Sequence, residues 1–245
     1  MKHFGLIGLP LTHSFSKKFF SEKFEREHID ARYDLFELQH IADFSLLIEE
    51  HELSGLNVTI PYKEKVMEFM DELDVTASEI GAVNVIKFIR RNDNLILRGY
   101  NSDAIGFENS LKPFLKPHHT KALVLGTGGA SKAIDYVLRK NGIEVTFVSR
   151  TIRPGMLTYY QLTEEIIRAN TVVINASPVG TYPHADECPD IPYKFLTNKH
   201  LLFDVVYNPA ETVFLKMGQE QGAAGLNGEQ MLVGQALAAW EIWNR

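Results

Sequence analysis

Cysteine is almost missing from this chain: Cys188 stands alone among 245 residues. A single thiol excludes an intrachain disulfide and a zinc site built on several thiolates. Apolar runs are short, well under the roughly 18 residues that cross a bilayer. Met1 to Leu11 carries Lys2 and His3 ahead of a brief apolar segment, without the hydrophobic region and small-residue cleavage site of a secretory leader. No basic run exceeds two residues, and 25 basic against 31 acidic side chains leave a net charge of −6. A nucleic-acid backbone is a poor partner for such a surface. The nine histidines contain no His-Glu-x-x-His spacing, and His118-His119 sits beside Pro117 in loop-like sequence. Repeats and low-complexity segments are also lacking. These absences describe a cytoplasmic, metal-independent protein whose partner is a small molecule, with no nucleic acid and no membrane. Its oligomeric state is left at monomer or homodimer.

What is present is a 45% apolar composition, ordinary for a chain with a substantial core, arranged as alternating strand and helix patterns. Phe4–Leu9, Ala31–Leu38, Gly55–Ile60 and Ala82–Ile89 read as strands, and Ser16–His28 and Ile41–Glu50 as helices. Val66–Ile80 supplies helical pieces. Asn92-Asp93-Asn94 is turn chemistry leading to Leu95–Arg98, a hairpin. A helix over Ser102–Lys112 then runs into a loop around Pro113 and Pro117. The second half is a βαβ series: strands at Ala122–Leu125, Val145–Val148, Val172–Ile174 and Leu201–Val206. Helices are expected at Ser131–Asn141, Leu157–Ala169, Glu211–Gln221 and Glu229–Trp240. Such alternation with short connections implies a parallel, doubly wound sheet with right-handed crossovers. The expected fold is therefore α/β.

Gly126-Thr127-Gly128-Gly129-Ala130-Ser131 lies between a fully apolar strand and a helix. In that setting Gly126 permits a tight turn, Gly128 lets a pyrophosphate reach the backbone, and the helix start offers free N–H groups to the anion. Serine takes the third fingerprint position and is still small. The context points to a dinucleotide site. An NAD site wants an acid at the end of the next strand. Here that strand ends Val148-Ser149-Arg150-Thr151, with Arg153 two residues on, while Glu144 sits at its start. Arg150 suits a 2′-phosphate, which favours NADP, although both arginines would also be at home as solvated surface charges.

Further motifs make the resemblance specific. Gly5-Leu6-Ile7-Gly8 with His13-Ser14-Phe15-Ser16, Asn57 to Lys63, Gly81-Ala82-Val83-Asn84 and Asn101-Ser102-Asp103 resemble shikimate dehydrogenases. So do Gly126 to Ala130, Asn175 to Gly180, Asp204 to Pro209 and Gly225 to Gln235. The ordered set spans nearly the whole chain.

The resemblance implies NADPH-dependent, reversible reduction of 3-dehydroshikimate to shikimate in chorismate and aromatic amino-acid biosynthesis. It implies a catalytic α/β domain from residues 1–102 plus 229–245, a Rossmann-type NADP domain from 103–228, and substrate in the cleft between them. Carried over by position, Ser14, Ser16, Thr59, Asn84, Tyr207 and Gln235 hold the substrate's hydroxyls and carboxylate, and Lys63 and Asp103 are the acid–base pair. Val205 and Gly228 pack near the nicotinamide. Gly126, Thr127, Gly128, Gly129, Ala130, Ser149, Arg150, Thr151 and Arg153 hold the rest of the cofactor; no metal is implied.

The chemistry is sound from residue types. Reducing a ketone builds charge on its oxygen, and an ammonium group nearby can donate a proton. Asp103 is assigned mainly to orienting Lys63 and the substrate hydroxyl. Taken without the family, Lys63 reads as a surface charge starting a helix after Pro61, Asp103 as a helix-start residue, and Ser16 as a helix cap.

Departures from the family pattern are specific. Relatives usually carry proline after the second serine, where this chain has Lys17, and a His-Asn pair where it has Phe20 and Ser21. Asn-Arg-Thr is replaced by Ser149-Arg150-Thr151, and the segment from Thr151 to Thr171 is short. Alternatives are a quinate/shikimate dehydrogenase of broader specificity and a non-catalytic NADPH-sensing protein of the same fold.

Overall fold

The computed structural model describes residues 1–11, 14–92 and 94–245. His13 and Asp93, both singled out from the sequence, lie outside those residues. Residues divide into two units, Met1–Ser102 with Ala236–Arg245, and Asp103–Gln235.

The first unit opens with β1 (Lys2–Gly8), α1 (Phe15–Arg26) and β2 (Ala31–Glu37). A single 3-10 turn at Ile41–Asp43 precedes α2 (Phe44–Glu50), and β3 (Gly55–Val58) follows. Sequence expected only helical pieces over Val66–Ile80. The structure has a 3-10 segment at Lys65–Phe69, the two-residue β4 (Glu72–Leu73) and α3 (Val75–Ile80). Glu72 and Leu73 are drawn into the sheet by pairing with Arg98 and Gly99, a long-range partner that local periodicity does not announce. The hairpin strands are β5 (Val85–Arg91) and β6 (Asn94–Tyr100), with Asn92 at φ +48°, a left-handed conformation that asparagine tolerates. The sheet order is β2-β1-β3-β5-β6-β4. The first three strands are parallel, and β5 is antiparallel to both β3 and β6.

Both faces of this sheet are covered. Ile7, Leu56, Val58 and Ile86 join Phe44, Leu47 and Leu53 in one core. Phe4, Leu6 and Tyr33 join Phe20, Phe24, Ala239 and Trp243 in another. Gly55 decides how closely the chain's last helix seats: a Cβ there would lie 2.4 Å from the Trp243 ring. The indole instead lies against β3 and donates from Nε1 to Ile86 O at 3.0 Å.

The second unit starts in α4 (Ser102–Leu111) and continues through β7 (Lys121–Leu125), α5 (Ser131–Lys140) and β8 (Glu144–Ser149). Asn141 caps α5 and Gly142 follows at φ +75°, the expected left-handed stop. One helix was expected over Leu157–Ala169. The chain forms instead β9 (Leu157–Thr158), a 3-10 turn at Tyr159–Gln161 and α6 (Glu164–Ala169). Leu157 and Thr158 pair in parallel with Val148 and Ser149, so the apolar spacing that resembles a helix is partly strand. β10 (Val172–Asn175), β11 (Leu201–Asp204), α7 (Val213–Glu220), β12 (Ala224–Leu226) and α8 (Glu229–Asn244) complete the order. The sheet runs β12-β11-β10-β7-β8-β9 and is parallel throughout. Chain order reverses at β7, which puts β10 on one side and β8 on the other. Open α/β sheets bind ligands at the carboxyl ends of the strands around such a reversal. Among the described residues no helix is long and apolar enough to cross a membrane.

Candidate functional site

A cavity of about 590 Å³ opens at the carboxyl ends of β7, β8 and β10. Gly126, Thr127 and Gly128 form one wall, Ser149, Arg150, Thr151 and Arg153 a second, and Ala176 to Val179 a third. Seven of the nine residues assigned to this part of a cofactor are thus brought together; Gly129 and Ala130 lead from the loop into α5. Gly126 has φ +106°, and its N–H donates to Val148 O at 2.9 Å, which turns the chain sharply off β7. Gly128 differs in kind. A Cβ built there meets only Ala176 O, at an ordinary 3.7 Å, so protein packing does not require glycine at this place. What its bare backbone leaves clear is the approach to the loop.

Ser131, the departure from a third glycine, is buried and donates from Oγ to Gly128 O at 2.6 Å. Its hydroxyl therefore tightens the loop. No side chain caps the start of α5. An uncapped helix amino terminus beside an open backbone is suited to an anion. At the opposite wall Arg150 and Arg153 are both exposed, and Arg153 Nη1 donates to Thr127 Oγ1 at 3.4 Å. Ser149 Oγ is buried and accepts from Thr151 N. Among the described residues no acid lines the cavity. Backbone N–H groups, two guanidinium groups and an absent Cβ fit the phosphates of a dinucleotide carrying an extra 2′-phosphate.

The sequence reading did not single out the third wall as a site. Asn175 Oδ1 accepts from Ser177 N and Ser177 Oγ, and Asn175 Nδ2 donates to Val179 O and Asp204 Oδ1. Asp204 is fully buried, and also accepts from Val206 N at Oδ1 and Thr212 Oγ1 at Oδ2. Burial pushes its carboxyl up to about 6, while Thr212, Val206 N and Asn175 pull it down. These bonds tie the loop after β10 to the loop after β11. Tyr159 was missed as well. It lines the cavity because only a short loop, with no helix, joins β8 to β9. Burial raises its phenol pKa against the opposing field of Arg150. The shortness of the segment after Thr151 was the available signal.

Val205 and Gly228, both assigned to the nicotinamide end, touch: a Cβ on Gly228 would be 2.2 Å from Val205 O. Tyr207 is 42% exposed just beyond. Gln235 is buried in α8, with Nε2 bonded to Leu232 O at 2.9 Å, which answers where its amide finds a partner. The backbone at Gln235 lies against Gly106 of α4, where a Cβ would come within 2.8 Å of Gln235 N. Asp103 is buried in the first turn of α4.

In the first unit, Lys63 lies half-buried in the turn after Pro61, just ahead of the 3-10 segment. Its carbonyl accepts from Val83 N at 2.7 Å. That places Lys63 beside Asn84, whose buried side chain bonds to Ser102. Thr59 is half-buried, and Asn57 on the same strand face is inside the protein. Ser14 is the cap of α1, accepting from Lys17 N at 3.2 Å. Ser16, expected as the cap, is instead the second residue of the helix, because Phe15 is already helical. Lys17, at the place of the family's proline, bonds Asp34 Oδ1 at 2.9 Å and Tyr33 O.

Residues 6–86 match the family model of the shikimate dehydrogenase substrate-binding domain. The NADP(+)-dependent shikimate dehydrogenase of Clostridium beijerinckii is 39% identical, over 99% of this chain and 92% of the relative. The chain belongs to the shikimate dehydrogenase family. The chorismate mutase/shikimate 5-dehydrogenase fusion protein of Clostridium acetobutylicum is 35% identical with TM-score 0.87, covering all of this chain and 91% of its own. The shikimate 5-dehydrogenase of Thermus thermophilus, solved with NADP(H) and shikimate, is 28% identical with TM-score 0.84 over 99% and 93% of the two chains. Family membership accounts for the mixed six-stranded sheet of the first unit as well as the glycine loop of the second.

Proposed function

We propose that this protein is an NADP-dependent shikimate dehydrogenase that reversibly reduces 3-dehydroshikimate to shikimate, a step of aromatic amino-acid biosynthesis, in the cytoplasm. The observation that carries the reading is the cavity at the glycine loop, with Arg150 and Arg153 where an NAD site would hold an acid. We assign the cofactor to the second unit and the substrate-binding domain to the first.

NADPH, when bound, supplies the hydride. Gly126 to Gly128 and the start of α5 hold its pyrophosphate, and Arg150 and Arg153 hold the 2′-phosphate. Val205 and Gly228 shape the wall for the nicotinamide. Lys63 donates the proton that quenches charge developing on the carbonyl oxygen. Asp103 orients that ammonium and the neighbouring hydroxyl. Ser14, Ser16, Thr59, Asn84, Tyr207 and Gln235 recognise the hydroxyls and carboxylate.

The test is kcat/KM for shikimate and for quinate, each with NADP+ and with NAD+, followed by nicotinamide absorbance. Shikimate with NADP+ should be the best pair. Quinate as the better substrate, or equal use of the two cofactors, contradicts the reading.

A further inference from the structure

Along the carboxyl edge of the second sheet, the glycine loop follows β7, Arg150 follows β8, and Tyr159 follows β9, in the order of the strands themselves. Thr158 pairs in parallel with Ser149, so the residues one step on, Tyr159 and Arg150, leave the sheet side by side. Parallel neighbours are usually joined by a crossover of about a dozen residues or more, commonly a helix. Arg150 to Met156 makes this connection without one, turning at Gly155 with φ +74°. Tyr159 thereby reaches the wall of the cavity, and among the described residues it is the one aromatic side chain there.

Ring and hydroxyl of Tyr159 have different surroundings. Its neighbour Tyr160 is 97% exposed, whereas Tyr159 is half-buried and packs against the core that holds Val148, Leu162 and Tyr193. Phenylalanine would fill that packing role equally well. Among the described residues nothing bonds the Tyr159 hydroxyl, and the one buried side-chain nitrogen or oxygen left without a partner is Arg98 Nε. The hydroxyl is therefore open to solvent, an apolar body with a polar tip at the cavity wall. Burial raises the phenol pKa, and Asp190 adds to this against the pull of Arg150, so the group is a neutral donor at neutral pH.

Position along the edge decides which part of the cofactor it meets. A pyrophosphate belongs at the glycine loop after β7, and the ribose 2′ position at the end of the next strand, β8. Tyr159 stands on the far side of Arg150 from the glycine loop. We infer that Tyr159 is a further cofactor-specificity residue, its phenol donating a hydrogen bond to the 2′-phosphate beside the Arg150 guanidinium. The inference rests on the NADP reading of this cavity. It gives the loss of a crossover helix after β8 a consequence for binding, because the side chain that comes forward in its absence supplies one more donor to the anion.

The experiment compares Tyr159→Phe with wild type by calorimetric titration of the whole protein with adenosine 2′,5′-bisphosphate and with 5′-AMP, which lacks the 2′-phosphate. The bisphosphate should bind about three- to tenfold more weakly to the variant, and 5′-AMP equally well to both, as for loss of one hydrogen bond to a charged group partly open to water. In shikimate oxidation the KM for NADP+ should rise by the same factor, with the KM for NAD+ unchanged and kcat within about twofold. The melting temperature should stay unchanged, since the lost hydroxyl has no bond within the described protein. Unchanged affinity for the bisphosphate overturns the inference. So does equal weakening toward both nucleotides, the mark of a ring that shifts rather than of a bond lost at the 2′ position. Wild-type protein that binds the bisphosphate no better than 5′-AMP overturns the NADP reading first, and with it this inference.

Discussion

The N–H of Ser102 donates to Asn84 Oδ1 at 2.6 Å, and Asn84 Nδ2 donates to Ser102 Oγ at 3.0 Å. Asn84 is 3% and Ser102 0% exposed, so this two-way bond is made out of water. It pins the residue before Asp103 to the strand connection that carries a candidate substrate amide. Asn84→Leu should lower the urea unfolding free energy by about 2–3 kcal/mol, since it strands a buried N–H. Ser102→Ala keeps that main-chain bond and should cost about 1 kcal/mol or less. Equal losses would show that the pairing is not what stabilises this connection.

Gly126 and Gly128 should separate under substitution to alanine. Gly128→Ala meets no obstacle in the protein and should leave the melting temperature unchanged while raising the KM for NADP+ about tenfold or more, by crowding the phosphate approach. Gly126→Ala forces a side chain onto φ +106° and should destabilise the fold by about 1–2 kcal/mol. Thermal melts and cofactor titration together test both halves.

Arg150→Ala should raise the KM for NADP+ roughly ten- to hundredfold and leave that for NAD+ nearly unaltered, as expected for a charge-assisted bond to the 2′-phosphate alone. Steady-state kinetics with each cofactor are decisive. Equal effects would remove Arg150 from the phosphate site.

Lys63→Met should lower kcat by about a hundredfold or more with a modest change in the shikimate KM, because a proton donor is needed chiefly in the transition state. A large KM effect at intact kcat would make Lys63 a binding residue instead.

Stability should respond to acid through two groups of opposite sign. Asp204 has its carboxyl raised by burial from 3.8 to about 6. The folded chain therefore keeps a proton that the unfolded chain has lost between those values. Stability falls as pH rises through that window, by about 3 kcal/mol in all. His119 is lowered below 6.5 by burial, with Nδ1 accepting from Lys116 N and Nε2 bonded to Lys199 O. It stays neutral in the fold, so stability is lost as pH falls below 6.5. Urea unfolding measured across pH 4–7, as a rough range, should show Asp204→Asn without the decline toward neutral pH and His119→Asn without part of the acid-side loss. Slopes matching wild type in both variants would refute these assignments.

Much of the molecule follows from local pattern. An apolar strand, a glycine loop and an amphipathic helix in succession announce β7, the loop at Gly126 and α5, because burial on both strand faces and positive φ leave clear residue signatures. The missing acid after β8 was equally plain. Neighbours distant in the chain were not. Leu157 and Thr158 are strand because Val148 and Ser149 lie beside them, and Glu72 and Leu73 because Arg98 and Gly99 do. Ser14 rather than Ser16 caps α1, a choice that one helical residue decides.

The amino-acid order by itself determined the α/β alternation, the anion-suited loop and the family, since these rest on spacing and residue type. Only tertiary structure decided that the Tyr33 phenol meets Asn57 inside the first sheet, that Tyr159 enters the cavity, and that Asp204 is buried among three donors. Each of these depends on strands brought together from far along the chain, where hydrogen bonding and desolvation are set by the partner and not by the residue alone.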